Sequence, residues 1–138
     1  MYYITKTFVF PMGHRLSKLE GISRCARIHG HSFSVEVTIK SNKLNEFDMV
    51  MDFSKLKILV NNLLESWDHG MCINKNDKSI DPNFCFINYF DGDPTAENLC
   101  KWLYDNFKFE NLLPENVKIH SIVIWEAPDS KAEYKESC

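Results

Sequence analysis

His29, Gly30 and His31 form a His-Gly-His triplet, and His14 lies fifteen residues upstream. In an extended strand, residues two apart point to the same side, so the imidazoles of His29 and His31 converge on one ion. Gly30 between them lets backbone or another group approach closely. His14 follows a second extended segment, and an antiparallel neighbour would bring it beside the start of the strand holding the triplet. Three histidines with an open fourth position are the layout of a catalytic zinc. A His-x-His pair alone is more often two surface or satisfied core histidines, but His14 and a nearby cysteine tilt the reading toward a metal.

That cysteine is Cys25, four residues before His29, in a stretch that also holds Arg15, Lys18, Arg24 and Arg27 against a single Glu20. A metal and several cations favour thiolate, the form that serves as base or nucleophile. Spacing leaves two other readings open: a fourth ligand of a closed structural site, or an ordinary buried thiol. In a chain of net charge -3, the basic stretch is the natural seat for a small anion such as a phosphate ester or a triphosphate. Asp68-His69 is a second candidate pair, in which a carboxylate orients an imidazole for proton transfer. Neighbours in a regular helix do not face each other, so this pair requires an irregular turn. Glu126 ends an apolar segment, where a carboxylate either meets solvent or receives paired donors from a heterocycle edge. His120, Cys72, Cys85, Cys100 and Cys138 have no such company and read as structural or incidental.

The elements that must position these groups follow from periodicity. Tyr2 to Phe10 reads as a strand closed by Pro11-Met12-Gly13, and Phe33, Val35, Val37 and Ile39 alternate with polar residues in a second strand starting at His29 or His31. Asp52 or Ser54 caps a helix carrying Leu56, Val60, Leu63, Leu64 and Trp67 and ending near Asp68. Thr95 caps a second helix bearing Leu99, Trp102, Leu103 and Phe107. Residues 74–93 read as loop with a short strand at Phe84 to Phe90, Val117 to Trp125 as a central strand, and a short last strand fits before Tyr134. The expected class is α+β, in one domain over residues 1–138.

Composition sets the limits. Hydrophobic residues at 44% and charged residues at 25% exclude a disordered or fibrous chain, and the mild acidity argues against coating nucleic acid or an anionic membrane. Five cysteines, an odd number with no CxxC pair, suggest thiols rather than a disulfide framework. With no long apolar run and no signal-like start, the expected location is the cytosol.

Six ordered segments carry a resemblance: Phe10-Pro11-Met12-Gly13-His14-Arg15-Leu16, Cys25-Ala26-Arg27-Ile28-His29-Gly30-His31-Ser32-Phe33, Met49-Val50-Met51-Asp52-Phe53, Asp68-His69, Pro94-Thr95-Ala96-Glu97-Asn98 and Trp125-Glu126-Ala127. Over nearly its whole length the chain resembles the 6-pyruvoyl- and 6-carboxy-tetrahydropterin synthase family. The resemblance implies zinc held by His14, His29 and His31, a catalytic Cys25, a catalytic Asp68-His69 pair, a pterin-anchoring Glu126, and Thr95 and Glu97 assisting from a neighbouring subunit. The compact Cys-x-x-x-His-Gly-His spacing is similar to the 6-carboxy-tetrahydropterin synthases of queuosine biosynthesis. That implies 7,8-dihydroneopterin triphosphate as substrate, and 6-carboxy-tetrahydropterin, acetaldehyde and triphosphate as products. The alternatives are a pyruvoyl synthase, which eliminates triphosphate, and a non-enzymatic zinc-stabilised pterin-binding module. The family's tunnelling fold, or T-fold, implies an antiparallel sheet with two helices on one face, and sheets joined between subunits into a barrel, hence a homo-oligomer, trimer or hexamer. Two departures stand out: Asp48 where glycine commonly precedes Met-Val, and one extra residue in the segment after His69.

Overall fold

In the computed structural model, which describes residues 1–83 and 86–137, the two long alternating segments pair with each other. β1 (Tyr2–His14) and β2 (His29–Ser41) run antiparallel in continuous register, from Tyr2 opposite Ser41 to His14 opposite His29. Phe8, Phe10, Met12 and His14 of β1 lie on one face with Phe33, Val35, Val37 and Ile39 of β2, and all are buried. The opposite face carries Thr5, Thr7, Ser34, Glu36 and Thr38, as period-two alternation requires.

β1 runs four residues beyond the expected end at Phe10, through Pro11 to His14. Proline is tolerated because its nitrogen faces away from β2: the Pro11 carbonyl, on the same side of the strand, accepts from the His69 N–H at 2.8 Å. No β1–β2 ladder bond is lost.

The sheet order is β4-β3-β1-β2-β5-β6, with β3 Met71–Asn74, β4 Ile87–Phe90, β5 Lys118–Ala127 and β6 Ser130–Tyr134. β1, β2, β5 and β6 form the expected antiparallel core. β3 joins β1 in parallel and β4 joins β3 in parallel, so the complete sheet is mixed rather than antiparallel throughout. A helical crossover lies between β2 and β3, and crossovers, unlike hairpins, can lay a strand parallel to its neighbour. β3 had no sequence expectation, because four buried residues are too few to show a period. Of the strand expected over residues 84–90, β4 supplies the last part, and Phe84 and Cys85 lie outside the described residues, as does Cys138.

α1 (Phe53–Leu64) and α2 (Ala96–Phe109) pack on the buried face, through Leu56, Val60 and Leu64 and through Leu99, Leu103 and Phe107. Fully burying each such side chain is worth about 1.5–3 kcal/mol. The Asp52 carboxylate accepts from Ser54 N–H at 2.8 Å and the Thr95 hydroxyl from Asn98 N–H at 3.2 Å, the two expected caps. α1 ends earlier than its apolar stripe suggests. Trp67 is buried beyond the helix end in a turn, stacking near Phe90 and Trp102, so its apolar position reflects packing and not helical continuation.

On β1, β3 pairs with Gly13 and His14 alone. The outer edge of β1 before that point has no strand neighbour among the described residues.

Candidate metal centre and active site

The register places His14 opposite His29 and Met12 opposite His31, so three imidazoles gather at one end of the buried face. Their candidate ligand atoms all lie within 4.8 Å of one another. Phe33 packs edge-on beneath His14 and His31, with ring centroids 5.5 and 5.3 Å away. Gly30 performs the expected role: a Cβ there would meet the Met12 carbonyl oxygen of the facing strand at 3.2 Å. At Gly13 opposite, a Cβ would sit 2.7 Å from Sδ of the flexible Met71 side chain, which would have to move aside.

Two of the rings are fixed by backbone carbonyls. His14 Nδ1 donates to the Pro94 carbonyl at 2.8 Å, and His29 Nδ1 donates to the Arg27 carbonyl at 2.7 Å. Each bond selects the tautomer whose Nε2 lone pair is free for a metal. His14 is fully buried, and its Nε2 is the one buried side-chain polar atom without a hydrogen-bond partner among the described residues. Burial, with the neighbouring His29 and His31, lowers the His14 pKa to about 4 despite the Pro94 bond, so the ring is neutral at ordinary pH. A neutral imidazole with an unpaired buried nitrogen is the form a metal requires. The three residues therefore fit a metal ion, and their all-nitrogen set suits zinc.

Glu126, at the end of β5, brings Oε1 to 3.9 Å from His14 Nε2. With His14 neutral this approach is not an ion pair. The carboxylate is 30% exposed and sits beside the cluster, available to a ligand.

Cys25 is half-buried in a short 3-10 turn, Arg24–Ala26, where its N–H donates to Ser23 Oγ at 3.1 Å. Its sulfur is not among the clustered ligand atoms, which favours the thiol over the fourth-ligand reading. Asp68 and His69 make the irregular turn their pairing needs: His69 adopts φ 61°, and its Nδ1 donates to Asp68 Oδ1 at 2.6 Å. Both side chains are exposed, His69 by 78%. Thr95 spends its hydroxyl on the α2 cap, and Glu97 stands exposed in the first turn of that helix. The structure thus unites His14, His29, His31 and Glu126, places Cys25 on the loop joining β1 to β2, and leaves Asp68-His69 as a separate exposed pair.

The basic stretch divides differently from its sequence reading. Lys18, Arg24 and Arg27 are exposed and make no ion pair among the described residues, so they remain available to an anion. Arg15 is occupied instead: Nε donates to Asp77 Oδ2 at 2.6 Å, and Nη1 to the Ala26 carbonyl at 2.5 Å and Glu20 Oε2 at 3.0 Å. Sequence reasoning also missed Asp93. Its buried carboxylate accepts from Ser17 Oγ, Lys18 N–H and Asn74 Nδ2, one residue before the carbonyl that holds His14. Burial pushes this carboxyl up, and the three donors more than offset it, holding it below the usual range. Asp93 lies in a loop full of polar residues, and nothing in spacing distinguishes it there.

The 6-pyruvoyl tetrahydropterin synthase family pattern matches residues 3–137. The chain belongs to that family. A 6-carboxy-5,6,7,8-tetrahydropterin synthase of Aquifex aeolicus is 38% identical, with 96% of this chain and 97% of the relative aligned. The enzyme of the same name from Haemophilus influenzae is 29% identical over 99% of this chain and 100% of its own. Among solved structures, an uncharacterised protein of Wolinella succinogenes superposes with a TM-score of 0.84 at 23% identity, covering 99% of this chain and 98% of that one. The 6-pyruvoyl tetrahydropterin synthase of Caenorhabditis elegans follows with a TM-score of 0.71 at 22% identity, covering 99% and 96%. At those identities the structural likeness speaks to the fold, and it establishes the tetrahydropterin synthase T-fold for this chain. No helix is long and apolar enough to cross a membrane among the described residues.

Proposed function

We propose that this member of the tetrahydropterin synthase family is a zinc-dependent 6-carboxy-tetrahydropterin synthase. It takes 7,8-dihydroneopterin triphosphate and water to 6-carboxy-tetrahydropterin, acetaldehyde and triphosphate, a step toward queuosine. The observation that carries the metal is the buried, unpartnered Nε2 of His14 in a cluster whose Nδ1 atoms on two rings are already engaged. The choice of carboxy over pyruvoyl product draws on the compact Cys25-to-His29 spacing and on the names of the relatives aligned over nearly the whole chain.

His14, His29 and His31 hold the zinc, which when bound supplies Lewis acidity beside the substrate's side-chain oxygens. Cys25 removes a proton from the hydroxylated side chain, and His69, oriented by Asp68 through its Nδ1, exchanges protons at Nε2. General acid-base groups of this kind are each worth about 10²- to 10⁴-fold. Glu126 accepts paired hydrogen bonds from the pterin's amino and ring N–H edge. Lys18, Arg24 and Arg27 receive the triphosphate, and Thr95 with Glu97 contribute to pterin binding.

The same reading makes the protein cytosolic and a homo-oligomer, a trimer or a hexamer built from trimers, whose sheets join into a barrel. The unpaired outer edge of β1, with Tyr2, Tyr3 and Val9 exposed beside it, supports subunit joining along that strand. Light scattering of the purified protein reads the assembly directly.

The deciding experiment is a product assay on zinc-analysed protein supplied with 7,8-dihydroneopterin triphosphate. Acetaldehyde released in step with triphosphate, at about one zinc per chain, is the expected result. A pyruvoyl-tetrahydropterin product without acetaldehyde makes this a pyruvoyl synthase. Pterin binding without turnover makes it a binding module.

A further inference from the structure

Arg15 and Asp77 have no part in the chemistry above, yet they form the least exposed ion pair among the described residues that excludes histidine. Arg15 is 14% exposed and Asp77 4%. Burial pushes the Asp77 carboxyl up, but hydrogen bonds from Ser79 and Arg15 hold it below the usual range, so it is charged. A largely buried pair of this kind contributes little net stability, because desolvation cancels most of the attraction. What it supplies is direction. Through one guanidinium the pair joins two segments far apart in sequence: the loop after β3, which carries Asp77, and the turn that carries Cys25.

The contacts converge on Cys25. Its own carbonyl accepts from Leu16 N–H at 3.1 Å, and the next carbonyl, Ala26, accepts from Arg15 Nη1 at 2.5 Å. Its N–H is taken by Ser23 Oγ. Arg15 in turn is aimed by Asp77, whose other oxygen, Oδ1, is fixed by the Ser79 N–H and hydroxyl at 3.0 and 2.6 Å. Glu20 also meets Arg15, but at 71% exposure it adds little.

We propose that Arg15, locked by Asp77, is a positioning residue that holds the Cys25 turn in its working geometry, and that it does not bind the triphosphate. The role needs arginine: the planar fork reaches a carboxylate and a carbonyl at once, which the single ammonium of lysine does not. The inference rests on the reading of Cys25 as the working thiol. It extends that reading to a residue whose sequence context suggested an anion ligand.

The test compares wild type with Asp77→Asn, Arg15→Lys and the double variant Arg15→Met/Asp77→Asn. Removing Arg15 alone leaves a buried carboxylate unpaired and risks unfolding, so the double variant, which removes both charges, guards against that outcome. Two readouts are taken at equal zinc content. The first is the alkylation rate of the Cys25 peptide by iodoacetamide, followed by mass spectrometry, which needs no turnover. The second is kcat and KM for 7,8-dihydroneopterin triphosphate.

Expected in all three variants is alkylation faster by about fivefold as the half-buried thiol loosens. Expected with it is a kcat lower by about tenfold or more, since small misplacements of a reacting group cost that much, and a KM within about twofold. Alkylation and kcat both within twofold of wild type in Asp77→Asn and the double variant overturn the proposal. So does a large rise in KM at unchanged kcat, which would make Arg15 a triphosphate ligand, and so does full function in Arg15→Lys. Failure of the thiol reading is separate: Cys25→Ala turning over at the wild-type rate sinks it, while the alkylation comparison still reports on the tether.

Discussion

His14 and His69 are held in opposite ways. His14 is fully buried, fixed through Nδ1 by a backbone carbonyl, packed against three aromatic or imidazole rings, and left with one nitrogen unpaired. His69 is fixed through Nδ1 by the carboxylate beside it and is otherwise open to solvent. Burial keeps the His14 ring neutral although the Pro94 carbonyl favours the charged form, and that bond leaves Nε2 free to ligate, whereas at His69 a carboxylate orients a ring that lies in solvent. The same side chain is thus set in two different environments, one by burial and the other by an adjacent carboxylate.

The largest effect that tests this contrast is loss of the metal. His14→Ala is expected to drop zinc from about one per chain to near zero and abolish turnover, read by metal analysis and product assay. Zinc retained in that variant would break the contrast at its stronger end. Next comes His69→Ala, expected to lower kcat by about 10²- to 10⁴-fold with zinc content unchanged. Zinc lost along with activity there would mean that the two histidines serve one site as ligands. Asp68→Asn should cost less, about tenfold in kcat, because the amide oxygen still accepts from Nδ1 and orients the ring through a weaker, uncharged hydrogen bond. A rate unaltered across the pH range in Asp68→Asn would remove the carboxylate from the account.

The smallest effect concerns stability. Asp77 and Asp93 have folded pKa values below their ordinary 3.8, so their contribution is fully present above that pH and is lost as pH falls through the lower folded values. Denaturant titrations at descending pH should show wild type losing stability below about pH 4 more steeply than Asp93→Asn. Equal slopes would show that Asp93 contributes nothing through its charge.

Sequence reasoning was strongest where one residue type recurred at a fixed spacing. The histidine cluster was legible because a strand pairing converts the intervals between His14, His29 and His31 into neighbourhood, and the two helix caps were legible because Asp52 and Thr95 precede apolar stripes. What could not be read depended on distant partners. Pro11 stays in β1 because of His69, β3 is defined by its neighbours and not by its own four residues, and Trp67 is buried by Phe90 and Trp102 after its helix has ended. Arg15 is the plainest case. By composition it belongs with Lys18, Arg24 and Arg27, and only Asp77, sixty-two positions away, sets it apart.

The uninterrupted pairing of β1 with β2 would make a metal held by the three histidines a checksum on folding. A slip of one residue would turn His29 and His31 to the opposite face while His14 stayed, and the cluster would vanish. An ion that binds all three rings therefore rewards only the correctly aligned hairpin. Chains that misalign would be left unmetallated and distinguishable, so zinc uptake during refolding would report how often thirteen consecutive pairings had been set correctly.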